Sequence, residues 1–141
     1  MKDNKRIDFS TKALIIRDDK FLVMHNKGVK EDLWELPGGR MEFGENAEET
    51  LEREIREETG LGVRPIKILD TWNLMLRENY QITGVIYLCK LEDGDISLSE
   101  EHDDFKWLEA SKDSAGFMYS VFRKKMLIWD WEKIKDLVAN F

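Results

Sequence analysis

Two short apolar runs flank a charged segment near the start of the chain. The runs KALII (12–16) and FLVM (21–24) are separated by RDDK (17–20). β-Branched and aromatic residues favour strands, and polar residues favour the turn between them. The pattern therefore predicts a β-hairpin. The polar segment 27–33 that follows predicts a loop, and PGG (37–39) interrupts regular structure soon afterwards.

The strongest helical pattern in the chain begins after Asn46. Asn46 is a favourable N-cap residue, and Glu49 stands three positions later, as in a capping box. An apolar side chain recurs every fourth residue, at Ala47, Leu51 and Ile55. Gly60 is well placed to end the helix as its C′ residue. The pattern predicts a helix from about 47 to 59.

Alternating and apolar segments in the second half of the chain predict further strands. VRPIKILDTW (63–72) and YQITGVIYLCKLE (80–92) have strand composition, and the second is apolar enough to lie at the centre of a sheet. DGD (93–95) predicts a turn. DFKWLEAS (104–111) predicts a strand that leads to a helix cap at Ser111.

The last sixteen residues carry an amphipathic pattern. Apolar side chains recur at spacings of three and four, at Leu127, Trp131, Ile134, Val138 and Phe141. This spacing predicts a helix packed on the core. Strands on both sides of a capped helix, with a second helix at the end, predict an α/β domain in which helices cover a sheet.

Composition narrows the class of protein. A chain of 141 residues, 42% hydrophobic and 36% charged, fits one globular domain over residues 1–141. The formal net charge of −7 argues against a nucleic-acid polymer as partner. The lone cysteine, Cys89, lies in an apolar segment and is expected in the core. We expect a cytoplasmic protein, since the sequence contains neither a signal peptide nor an apolar run that could span a membrane.

Glutamate is concentrated in the predicted helix. Seven of the fourteen residues from Glu45 to Glu58 are glutamates. Glu54, Glu57 and Glu58 share one helical face beside the apolar stripe, where like charges repel. Four other charged side chains of the helix fall on the solvated face: Glu48, Glu49, Glu52 and Arg56. A charge-rich surface helix would explain the composition, but partly sheltered carboxylates need cations, and Mg²⁺ prefers oxygen ligands.

The surrounding residues favour the metal site over the surface helix. Gly39, five residues, Glu45, seven residues and then REIREETGL (53–61) match the pattern G-x5-E-x7-R-E-U-x-E-E-x-G-U at every fixed position, where U is a bulky aliphatic residue. This resembles the Nudix box. The flanking segment LWELPGG (33–39) also looks like that family. We refer to residues 39–61 as the box.

The resemblance implies a fold and a chemistry. Nudix proteins have an α/β/α sandwich with a mixed β-sheet between helices, and most hydrolyse a diphosphate linkage using Mg²⁺ or Mn²⁺. By position, the implied metal ligands are Glu54, Glu57, Glu58 and the carbonyl of Gly38. Arg53 and Glu45 look like a pair that orients this cluster, and Gly39 and Gly60 look like turn residues.

The general base is not decided by the sequence. Water attack on a diphosphate needs a proton acceptor, and Glu54 in the box is the first candidate. In some relatives the base, which is also a metal ligand, lies in a later loop a few residues before a Trp. Glu101 is the candidate there, and Glu100 and Asp104 compete with it. His102 has no second histidine at zinc-ligand spacing, so we interpret it as a polar loop residue.

Substrate contacts outside the box are less specified. Arg40 follows the Gly-Gly turn and Arg77 lies in a loop-like stretch, and either could contact phosphate. A base could stack on an aromatic side chain, at Trp34, Trp72, Tyr80 or Phe117, although packing in the core or at its rim is the simpler interpretation of each.

The sequence thus predicts a metal-dependent hydrolase of a small nucleotide-like diphosphate, acting as a monomer or homodimer without a membrane partner. The alternative is a Nudix-fold module that binds a nucleotide without hydrolysis. A Nudix-type isomerase is disfavoured because Cys89 lies in the middle of an apolar strand segment. Nucleoside triphosphates, nucleotide sugars and dinucleotides all remain open as substrates.

Overall fold

The computed structural model describes residues 4–141. Its strands are β1 (Arg6–Arg17), β2 (Lys20–Asn26), β3 (Gly38–Arg40), β4 (Gly62–Arg77), β5 (Tyr80–Asp93) and β6 (His102–Glu109). Its helices are α1 (Ala47–Thr59), α2 (Ser120–Met126) and α3 (Trp131–Ala139), and Lys112–Phe117 forms a 3₁₀ helix. Within this part of the chain, no helix has both the length and the apolar character needed to cross a membrane.

The strands form one mixed sheet in the order β4-β5-β1-β2-β6. β1 and β5 pair in parallel from Arg6 opposite Tyr80 to Ile16 opposite Lys90, and the other pairings are antiparallel. The β1–β2 turn is the predicted hairpin. The short strand β3 pairs with β1, with Gly39 opposite Thr11. This pairing brings the Gly-Gly turn beside the middle of the sheet.

Helices cover both faces of the sheet, as predicted. Leu51 and Ile55 of α1 pack on one face, in a cluster that includes Ile15 and Cys89 of the central strands. The other face carries α2, α3 and the 3₁₀ helix, in a second cluster that includes Leu14. Side chains alternate between the faces of a strand, which explains why neighbouring residues of β1 enter different clusters. Cys89 is fully buried, as the sequence indicated.

Helix α1 has the predicted boundaries and caps. The Asn46 side chain accepts a hydrogen bond from the Glu49 N–H, and the Glu49 side chain accepts one from the Asn46 N–H, each at 2.9 Å. Gly60 ends the helix in the left-handed region, with φ of 78°. A capping side chain contributes about 1 kcal/mol to helix stability. The local sequence therefore determines where the helix begins and ends.

Two expectations about elements were wrong. Arg77 is the last residue of β4 and not part of a loop, because β4 continues past Trp72 in its pairing with β5. The predicted C-terminal helix begins only at Trp131, because residues 127–130 separate α2 from α3, and the apolar stripe is shorter than expected. Trp131, Ile134 and Val138 are buried in α3, whereas Leu127 (54%) and Phe141 (44%) are exposed. The Asp130 side chain caps α3 by accepting from the Lys133 N–H.

Candidate active site

The Gly-Gly turn packs directly against the end of α1. A Cβ at Gly39 would overlap the carboxyl group of Glu54, so any larger residue there would displace that carboxylate. The N–H of Gly38 donates a hydrogen bond of 2.9 Å to Oε1 of Glu58. Two of the three predicted ligand glutamates are thereby positioned by the turn that precedes the helix.

Arg53 forms the predicted pair with Glu45. Its Nε and Nη2 donate to the two carboxylate oxygens of Glu45 at 2.6 and 2.9 Å. Nη2 also donates to the carbonyl of Arg40 at 3.0 Å. These hydrogen bonds from Arg53 lower the pKa of Glu45 to about 2, and the same contact raises the pKa of Arg53. The Arg53 side chain thus connects α1 to the Gly-Gly turn and to the segment that leads into the helix.

The same guanidinium contacts more carboxylates than it can neutralise. Nη1 of Arg53 donates to Glu54 at 2.8 Å and to Glu57 at 3.3 Å, and Glu42 lies at 3.4 Å. With Glu45, four carboxylates surround one cation. The excess negative charge and the hard oxygen donors suit a divalent ion such as Mg²⁺. Within residues 4–141, however, no three Asp, Glu, His or Cys side chains are already grouped tightly enough to hold one.

The three glutamates differ in exposure. The side chain of Glu57 is 58% exposed and that of Glu54 is 17% exposed, whereas Glu58 is buried with 6% of its surface accessible. Burial raises the pKa of Glu58 to about 7, although Lys12 and the Gly38 N–H act in the opposite direction. Ionisation of this carboxyl is therefore sensitive to any cation that comes near it.

A buried charged network next to Glu58 was not predicted. His102 was expected to be a loop residue, but it is the first residue of β6 and only 4% exposed. Its Nε2 lies 3.3 Å from Oε1 of Glu35, and Asn26 donates to the other oxygen of Glu35 at 3.2 Å. Burial opposes ionisation of Glu35, but Lys12, His102 and Asn26 outweigh it and lower its pKa to about 2. The side chain of His102 is therefore part of a buried hydrogen-bond network and not of a loop.

Lys12 links this network to a pocket of about 400 Å³. The residue is 8% exposed, and its ammonium group lies 5.6 Å from the centre of the Trp72 ring. Glu35, Asn26 and Ser120 also line the pocket, and its other walls are apolar or aromatic and include Ile82, Tyr119 and Phe122. A lysine inside an apolar strand and a glutamate between Trp34 and Leu36 are the sequence signals that could have indicated this site.

The other predicted site residues lie in different settings. Glu101 is exposed, and its carbonyl accepts a hydrogen bond from the Lys27 N–H at 2.9 Å. Trp34 is 3% exposed and belongs to the core, so it offers little ring surface for stacking. Arg40 and Arg77 both contact Tyr80, Arg40 through the hydroxyl and Arg77 through the ring.

Comparison with known proteins identifies the family. The family model of the NUDIX domain matches residues 9–124. The chain belongs to the NUDIX family. It is 31% identical over 127 residues to nucleoside triphosphatase NudI of Escherichia fergusonii, covering 81% of this chain and 89% of that protein. It is 39% identical over 68 residues to the RNA pyrophosphohydrolase of Ruthia magnifica, which covers 48% of this chain but only 38% of that protein.

Solved structures of other proteins share the fold. The MutT protein of Methanosarcina mazei Go1 superposes with a TM-score of 0.75 at 25% identity, covering 94% of this chain and 95% of that one. A UDP-X diphosphatase gives a TM-score of 0.71 at 23% identity, covering 93% of this chain and 64% of that one. The sequence-based assignment to the NUDIX family and to its sandwich fold is confirmed.

Proposed function

We propose that this NUDIX protein hydrolyses a diphosphate linkage in a nucleoside diphosphate derivative with the help of Mg²⁺ or Mn²⁺. The observation that carries the proposal is the set of four carboxylates around Arg53, one of which, Glu54, lies against Gly39. Such an excess of negative charge needs a cation, and the donor set suits a hard divalent one. Glu54, Glu57, Glu58 and the carbonyl of Gly38 would hold it.

The bound ion would lower the pKa of a water molecule and offset the charge of the diphosphate. The protein's own groups supply orientation and proton transfer. Arg53 fixes Glu54 and the carbonyl of Arg40, which sets the distance between α1 and the turn. Glu54 then accepts the proton of the attacking water. Glu101 is the competing base and ligand, since its exposed carboxylate is free to approach a substrate.

The pocket beside Lys12 suits the nucleoside part of the substrate. Tyr119, which is only partly buried, provides ring surface, and Lys12 and Glu35 provide a donor and an acceptor for the polar edge of a base. The relatives include a nucleoside triphosphatase and a UDP-X diphosphatase. Nucleoside triphosphates, nucleotide sugars and dinucleotides all contain a base and a diphosphate, and each fits this arrangement. We further propose a single-domain, cytoplasmic enzyme for a small-molecule substrate.

A nucleotide panel tests the proposal. Phosphate release from nucleoside triphosphates, nucleotide sugars and dinucleoside polyphosphates is measured with Mg²⁺ and after EDTA. We expect turnover of at least one class and its loss on chelation. Glu57→Gln should lower kcat by orders of magnitude, whereas Glu52→Gln, the same change on the exposed face of α1, should not. Nucleotide binding without turnover would favour the binding-module alternative, and full turnover after chelation would exclude the metal-dependent mechanism.

A further inference from the structure

Three arginines from separate segments converge on Tyr80. The guanidinium carbon of Arg6 lies 4.9 Å from the centre of the Tyr80 ring, and that of Arg77 lies 5.2 Å from it. Nη1 of Arg40 donates to the Tyr80 hydroxyl at 2.6 Å. The register of the sheet produces this cluster, because Tyr80 begins β5 and pairs with Arg6 on one side and Arg77 on the other.

The cluster carries more positive than negative charge. Asp8 accepts from the Tyr80 hydroxyl at 2.5 Å and from Nη2 of Arg6 at 2.8 Å, and Nη1 of Arg40 lies 3.4 Å away. The cluster around Tyr80 therefore contains three guanidinium groups and one carboxylate. Glu78 and Lys5 line the adjoining concavity of about 270 Å³ and add one charge of each sign. This local excess is notable in a protein whose net charge is −7.

The guanidinium groups keep donors for a ligand. In the contacts that residues 4–141 make, Arg6 donates through Nε and Nη2, and Arg40 donates its side-chain bonds through Nη1. Each guanidinium has five N–H donors. The side chains of Arg6 and Arg40 are 61% and 56% exposed, so the remaining donors are accessible. Planar guanidinium groups that are held in place match the oxygens of a phosphate.

The arginine cluster lies next to the box and next to the pocket beside Lys12. The carbonyl of Arg40 accepts from Arg53, which contacts the carboxylates of the box. Tyr80 lies two residues before Ile82, which lines the pocket of Lys12, and side chains two residues apart share one face of a strand. A substrate in the pocket with its diphosphate at the box would therefore have the arginine cluster within reach of its charged end.

We propose that Arg6, Arg40 and Arg77, arranged on Tyr80, bind an anionic group of the substrate beyond the linkage that is cleaved, such as a further phosphate. This inference rests on the proposed function and narrows it. It selects substrates with an additional phosphate or a second nucleotide over nucleotide sugars whose distal part is neutral.

Binding of inorganic pyrophosphate to the metal-free protein tests the cluster independently of hydrolysis. Isothermal titration in EDTA at low salt compares the wild type with Arg6→Gln and Arg77→Gln. The matched control is Arg64→Gln, because Arg64 also stacks on a ring, 4.5 Å from the centre of Phe141, but outside the cluster. We expect Kd to rise about tenfold in each cluster variant, as for the loss of one charge-assisted contact, and to change less than about twofold in the control.

Undetectable pyrophosphate binding by the wild type, or equal Kd values for the control and the cluster variants, would overturn the inference. Because no turnover is needed, a protein that fails the nucleotide panel can still pass this test. A second measurement uses any active substrate with an extra phosphate. KM should rise in Arg6→Gln and Arg77→Gln at nearly constant kcat, whereas general destabilisation would lower the melting temperature and the active fraction.

Discussion

The carboxyl group of Glu54 occupies the space in which a side chain at Gly39 would begin. The two residues lie on different elements, β3 and α1, and are brought together by the pairing of β3 with β1. Glycine at position 39 therefore matters for where the Glu54 carboxylate lies and not for the backbone conformation, which is outside the left-handed region that favours glycine. The position of a proposed metal ligand depends on the absence of one methyl group.

Gly39→Ala should lower activity while the fold survives. The new Cβ displaces the Glu54 carboxylate, and a displacement of about 1 Å at a catalytic group costs on the order of 10²-fold in rate. The control is Gly116→Ala, since a Cβ there meets nothing within 4 Å. Steady-state kinetics and thermal melting of both variants check the expectation. Full activity of Gly39→Ala would show that the position of Glu54 is not critical.

Arg53→Lys tests the two hydrogen bonds that Arg53 donates to Glu45. A lysine keeps the charge but cannot donate two parallel hydrogen bonds to one carboxylate and also reach the carbonyl of Arg40. We expect kcat to fall on the order of 10–100-fold, which corresponds to the loss of one or two charge-assisted hydrogen bonds. Arg56→Lys on the exposed face of α1 is the control, because its ion pair with Asp93 is exposed. Equal effects of the two changes would contradict this role.

Glu54 and Glu101 can be separated by kinetics. If Glu54 is both ligand and base, Glu54→Gln lowers kcat severely and also changes the Mg²⁺ dependence. If Glu101 is the base, Glu101→Gln lowers kcat by about 10²–10⁴-fold with metal affinity nearly intact, and higher pH partly restores the rate because hydroxide replaces the activated water. We expect the first result. Near-normal kcat and metal dependence in Glu54→Gln would assign the role elsewhere.

The features that the sequence predicted are local ones. The hydrogen bonds that cap α1 join residues three apart, and the arginine pair joins Glu45 to Arg53, eight apart. Interactions at such short separations depend only on the helix and the residues that lead into it, so a pattern of residue types is enough to predict them. The signal for the start of α3 is also local. Asp130 is a favourable N-cap residue, and its presence could have indicated the break between α2 and α3.

The features that the sequence could not predict depend on the register of the sheet. His102 meets Glu35 across 67 positions, and Tyr80 meets Asp8 across 72. A polar residue in such a network has the same local pattern as one in a loop, which is why His102 was misassigned. Its burial follows from the pairing of β6 with β2, where Asn26 lies opposite His102. Only the assembled sheet identifies such a residue as part of a buried network.

His25 joins the loop before the Gly-Gly turn to β6. Its Nδ1 lies 2.7 Å from Oδ1 of Asp103, and its Nε2 lies 2.9 Å from the carbonyl oxygen of Glu31. Both partners accept hydrogen bonds, so both ring nitrogens donate only when the imidazole is protonated. The Glu31 carbonyl, followed by Asp103 and the nearby charge of Asp104, raises the pKa of His25 above 6.5.

Stability should therefore depend on pH through His25. A folded-state pKa above the unfolded value means that the stabilisation is complete below about pH 6.5 and is lost as pH rises through the folded pKa. Urea unfolding at about pH 6 and pH 8.5 measures the free energy of unfolding of the wild type and of His25→Gln. The wild type should be the more stable protein at the lower pH, and the difference should shrink at the higher one. His102 also has a raised pKa, but it is present in both proteins and cancels in the comparison. A stability difference that is equal at both values would show that the His25 contacts do not require the protonated ring.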